Sequence, residues 1–129
     1  MGRGPQPAPA PPAAVQGAIL RDQQRARHAY AAVSAVGPGD RKNYKIAVND
    51  LGANLMRLKL AGAMAALERR NDDGARLLLD HLGGAGIPGL AGSNRATLPG
   101  ITRRLPLDDY ILATREMMLV AVWLKRAVQ

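Results

Sequence analysis

The run from Leu107 to Val128 contains neither glycine nor proline, and it constrains the fold more than any other stretch. Pro106 stops whatever precedes it. Asp108 and Asp109 place negative charge on the first turn, and Lys125 and Arg126 place positive charge on the last, which suits a helix macrodipole. At 100° per residue, Tyr110, Ala113, Met117, Ala121, Leu124 and Val128 form a broad apolar face. Leu112, Leu119 and Trp123 fall on the other side, among Arg115, Glu116 and Arg126. A helix that is apolar nearly all round is enclosed by its own domain or shared with a partner. Leu112, Leu119 and Trp123 are therefore candidates for subunit packing or for a covered apolar face. Trp123 is the anchor candidate, as the only tryptophan in a chain with three tyrosines and no phenylalanine.

The rest of the chain reads as helices too. The first runs from about Ala18 to Val36, with Ile19, Ala26, Tyr30 and Val33 on one face and Arg21, Gln24, Arg25 and His28 on the other. Gly37-Pro-Gly39 ends it, and Asp40 is placed to cap the next. From Arg41, residues Tyr44, Val48, Leu51, Leu55 and Leu58 recur with helical period, while Arg41, Lys42, Lys45 and Asn49 point away. The pattern continues without a strong breaker to Leu67. Asn71-Asp-Asp-Gly74 closes it and caps a segment from Ala75 to Leu82. Gly83 to Gly92 holds five glycines and a proline and reads as a loop, and Thr97 to Arg104 as a short helix weakened by Pro99-Gly100. No run has the period-two, β-branched character of a strand. The spacing predicts an all-α, single-domain bundle of about five to six helices over residues 17–129. Residues 1–16 form a Pro/Ala-rich tail expected to be disordered, since Met1 to Val15 contains five prolines and one charge.

Composition narrows the function. The tail has no apolar core of the signal-peptide kind, and no run is long enough to cross a bilayer, so a soluble cytoplasmic protein is expected. With no cysteine, disulfides, thiol catalysis and Cys-based metal sites are excluded. Gly84-Ala-Gly86-Ile-Pro-Gly89 matches a dinucleotide fingerprint in letters only, because it follows a helix and carries Pro88. Asp80-His81 spells the dipeptide of one class of metal phosphohydrolases, but the only other histidine is His28. The acidic pairs Asp72-Asp73 and Asp108-Asp109 sit at helix starts, where carboxylates cap. No enzyme, metal site or cofactor is expected.

The formal net charge of +8 points instead to a polyanion. Arg21, Arg25 and His28 are spaced along one helix, and Arg41, Lys42 and Lys45 within a turn and a half of the next. If these two helices pack antiparallel, their outer faces merge into one strip suited to a phosphate backbone, with little sequence preference. Two solvated faces of ordinary amphipathic helices are the plainer alternative. With four aromatic residues in all, base stacking is not expected to dominate.

Two blocks carry a family resemblance. Lys42-Asn-Tyr44 followed by Leu51 to Leu67 is one. Tyr110-x-x-Ala113-Thr114-x-Glu116 followed by Trp123-Leu-Lys-Arg-Ala127 is the other, and the more specific. Together they resemble the small helical subunit of the type III-B (Cmr) CRISPR RNA-guided effector complex, over about Leu20 to Val128. Leu58-Lys59 stands where that family usually has Asn-Gly at a helix break. Gly52 replaces a proline, Ala66 replaces an aromatic, and Met56 takes an arginine's place with Arg57 one step later. The resemblance implies a non-catalytic assembly part of an antiviral ribonucleoprotein. Its partners would be guide and target RNA, the backbone and large subunits, and further copies of itself, with Arg57 added to the candidate RNA contacts. Sequence would be read by base pairing and the protein would read backbone and shape. The rivals are a free-standing basic nucleic-acid-binding protein and a small hydrolase built on Asp80-His81.

Overall fold

The computed structural model describes residues 12–129, so most of the expected tail lies outside the described residues. Five helices follow one another: α1 (Ala13–Ser34), α2 (Arg41–Arg70), α3 (Asp73–Gly83), α4 (Leu98–Thr102) and α5 (Leu107–Val128). No strand occurs among the described residues. The bundle is thus all-α, with α1 starting at Ala13, five residues before its expected position and inside the stretch expected to be tail.

Helix α2 is the hub, packing against α3, α4 and α5, while α1 rests mainly on α5. Tyr44, Val48, Leu51 and Leu55 face inward from α2 as their spacing requires, but Leu58, the last of that series, is 39 % exposed next to Lys59; Ala113, Met117, Val120, Ala121 and Leu124 face inward from α5. Leu78, Leu79 and Leu82 seal the other side of α2 from α3. Contact between α2 and α3 is close because Gly74 has no side chain: a Cβ there would collide with the backbone of Asn43 and Tyr44. The Asp72 carboxylate caps α3 by accepting from the Ala75 N–H at 2.8 Å. Asp40 precedes α2, but its side chain makes no cap bond. The glycine-rich loop after α3 is pinned by Ile87 and Leu90, both buried.

Two sequence expectations are corrected. First, α2 does not run straight through. Lys59 takes φ 63°, ψ −175°, a backbone region that favours glycine, and breaks the helix at the position where the resemblance implied an Asn-Gly break. The break frees amides of the second arm, and the Tyr110 hydroxyl accepts from the Ala61 N–H at 3.0 Å. Lys59 Nζ reaches back to the Met56 carbonyl at 3.2 Å. Second, Ile19, Ala26, Tyr30 and Val33 do not act as one packing face of α1, although Val33 is half-buried against the core. Ala29 and Ala32 are buried, with Val36 just beyond the helix, whereas Ile19 and Tyr30 are exposed. The seam is small and polar because Asp22, Arg25 and His28 lie along it and each finds a fixed partner, which hydrophobic periodicity cannot register.

Candidate nucleic-acid interface

Arg41, Lys42 and Lys45 sit on the first turn and a half of α2, all exposed. None of them has a carboxylate partner among the described residues. Arg41 Nε donates to the Val36 carbonyl at 3.2 Å, which steadies the guanidinium and leaves its outer nitrogens free. Arg41 and Lys45 line a cleft of about 350 Å³ with Tyr30, Val33 and Ser34 of α1 and Val128 of α5. Tyr30, on the apolar face read along the first helix, is 53 % exposed. An aromatic ring beside two free cations is the feature that reading the sequence by apolar period alone misses.

The other candidates lie elsewhere. Arg21 is exposed and lines a shallow depression with Gln24 and the loop residues Gly86 and Pro88. Arg57 is exposed beside the α2 break and donates to Asn54 Oδ1 at 3.1 Å. Arg25 turns inward. Its Nη2 donates to Glu116 at 2.8 Å and Nε to the same carboxylate at 3.3 Å, with the two side chains only 11 % and 23 % exposed. His28 likewise leaves the outer face, its Nε2–H donating to the His81 carbonyl at 2.8 Å. The antiparallel pairing of α1 with α2 does not form, because α1 lies on α5. A single merged strip is therefore replaced by a cluster at the start of α2, with Arg21 and Arg57 separate from it.

The interface candidates also divide. Leu112 and Leu119 are 45 % and 43 % exposed on the outside of α5. Trp123 is half-buried, and its indole N–H donates to Asp22 Oδ1 at 2.8 Å, with Arg126 over the ring at 4.8 Å. It braces α1 against α5 within the chain.

The Asp80-His81 dipeptide points its two side chains at different partners. Burial on its own raises the Asp80 pKa, but hydrogen bonds from the Arg95 side chain and backbone outweigh it and hold the carboxyl below its ordinary value. Burial, reinforced by His28 and opposed by the Asp80 carboxylate, lowers the His81 pKa. Burial also pushes the Tyr44 hydroxyl up, and that hydroxyl shares a hydrogen bond with His81 Nδ1 at 2.7 Å. Among the described residues no three His, Asp or Glu side chains gather as metal ligands. No helix among them is long and apolar enough to cross a membrane.

The specific block near the C-terminus is explained by packing. Tyr110 caps the broken α2, Ala113 is buried, Thr114 Oγ1 donates to the Tyr110 carbonyl at 2.7 Å, and Glu116 holds Arg25. Each residue of Tyr110-x-x-Ala113-Thr114-x-Glu116 thus has a structural task.

Comparison with known proteins agrees with this assignment of parts. The family model described as CRISPR-associated protein (Cas_Cmr5) matches residues 21–129. A crystal structure of a CRISPR-associated Cmr5 family protein from Thermus thermophilus superposes with a TM-score of 0.73 at 28 % identity, covering 84 % of this chain and 94 % of that one. No curated protein matches the chain. A matched region that begins at Arg21 and includes the whole Tyr110–Glu116 block settles the family: the chain belongs to the Cmr5 family of CRISPR-associated proteins, subunits of the Cmr complex.

Proposed function

We propose that this chain is the non-catalytic small subunit of a cytoplasmic type III-B effector. It stacks with further copies along the backbone subunits and touches the guide–target RNA backbone during antiviral defence. The observation that carries the RNA contact is the group Arg41, Lys42 and Lys45, exposed together and without carboxylate partners among the described residues. Three free cations on one turn and a half offer phosphates a favourable, sequence-independent contact. Arg21 and Arg57, exposed apart from that group, offer separate backbone contacts. Arg25 contributes by positioning α1, its own charge being matched by Glu116. Leu112 and Leu119 supply exposed apolar area for packing against a neighbouring subunit.

The test is charge reversal in the reconstituted complex. The double variant Lys42→Glu, Lys45→Glu is expected to weaken target RNA retention. The slope of log affinity against log salt should shrink by roughly 1.5 to 2, because two phosphates are no longer neutralised. An unchanged slope overturns the assignment. Tight binding of duplex DNA by the isolated chain, with no Cmr subunits co-purifying from its host, would favour a free-standing nucleic-acid-binding protein instead.

A further inference from the structure

We infer that the cleft at the meeting of α1, α2 and α5 seats a single unstacked RNA nucleotide, its base against Tyr30 and its phosphate on Arg41 and Lys45. The inference rests on the RNA-contact reading above and names what that contact holds. A backbone phosphate alone needs cations and no pocket. Here the cations edge a cavity of about 350 Å³ whose walls include Val33 and Val128. That volume is at the low end of the roughly 300–1,000 Å³ typical of small-ligand sites, which suits one nucleotide and excludes a duplex. The Tyr30 ring is half exposed, offering the flat face on which a base of any identity stacks. Arg41 is held in place through its Nε bond to Val36, so its free nitrogens face an incoming phosphate with little rotamer freedom to lose. Ser34 Oγ donates to the Ala31 carbonyl at 2.9 Å and keeps its lone pairs as acceptors for a base N–H. A protein side chain in the same cleft would leave both cations unanswered unless it were acidic, and an acidic side chain has no use for the ring.

The experiment measures binding of the full chain to hexa-adenylate RNA and to the same oligomer built from abasic ribose-phosphate units, at fixed low salt. Tyr30→Ala, and separately Val128→Trp as a plug, are expected to weaken hexa-adenylate roughly tenfold and leave the abasic oligomer unchanged. Tyr30→Phe keeps full affinity, and Lys45→Glu weakens both oligomers. Both Tyr30 variants sit at an exposed position, and circular dichroism is the check that each retains its helices. If Tyr30→Ala and Val128→Trp leave hexa-adenylate unchanged while Lys45→Glu weakens both oligomers, the nucleotide site is overturned and the backbone contact stands. If Lys45→Glu changes neither, or the wild-type chain binds neither, the RNA-contact reading falls and takes the site with it.

Discussion

Helices α1 and α5 have the same length, 22 residues each, and lie against one another, yet their seams are built differently. The α5 seam buries Ala113, Met117, Val120, Ala121 and Leu124 and belongs to the common core. The α1 seam buries two alanines within the helix and otherwise relies on Asp22–Trp123, Arg25–Glu116 and His28–His81. Apolar burial is non-directional and scales with area, so α5 is held wherever its face lands. Polar ties work only in one register, so α1 is held in one place or comes away. The family's effector role fits that contrast: α5 fixes the body, and α1 carries Tyr30 to a defined spot beside Arg41.

The largest expected effect comes from the apolar seam. Leu124→Ala should cost about 3 kcal/mol, the usual range for a fully buried leucine, and lower the urea midpoint of the whole chain. A loss well below 1 kcal/mol would mean that α5 is not part of the cooperative core. The polar seam should respond next. Arg25→Met leaves a half-buried Glu116 carboxylate without its partner, at a cost of about 2 kcal/mol. Adding Glu116→Leu should recover most of it, because two apolar groups replace two matched charges. In hydrogen exchange, Arg25→Met should speed α1 amides while those of α5 stay protected. Equal acceleration in both helices would erase the distinction. Trp123→Phe removes the indole N–H to Asp22 and trims the ring beneath Arg126, and should cost about 1 kcal/mol, again seen first in α1.

The same contrast explains what could be read from the residues alone. The inner face of α5 and that of the first arm of α2 follow apolar period, and Met117 and Leu51 are buried where that period puts them. Asp72 caps α3 because a carboxylate before a helix has one commonplace use. The α1 face was not legible, because the residues that set it are alanines and charges, whose orientation depends on Glu116 and Trp123, 91 and 101 residues away from their partners. Ion-pairing of Arg25 is invisible for the same reason, and so is the exposure of Tyr30. Among the candidate RNA contacts, the cluster at Arg41, Lys42 and Lys45 was legible from local spacing. Its companion across the cleft was not, since that position depends on α1 docking against α5 rather than α2.

The break in α2 extends the comparison, because α5 secures it as well, through Tyr110. Composition gave no sign of it: Lys59 is a good helix former in a run without glycine or proline on either side of it until Gly62. Tertiary packing overrides that propensity. The two arms of α2 must bury Leu55 and Leu60 at once, and the backbone turns at Lys59, the last of the four exposed residues between them. A lysine held at φ 63° and ψ −175° stores strain that glycine does not feel, at the expense of greater chain freedom when unfolded. Lys59→Gly should therefore stabilise the chain by about 1 kcal/mol net, the only gain among these effects. Lys59→Ala, which removes the same side chain but keeps the Cβ, should bring no such gain. Urea midpoints of the two variants decide the matter. Equal midpoints would mean that the helix runs on through residue 59, and that Tyr110 caps nothing.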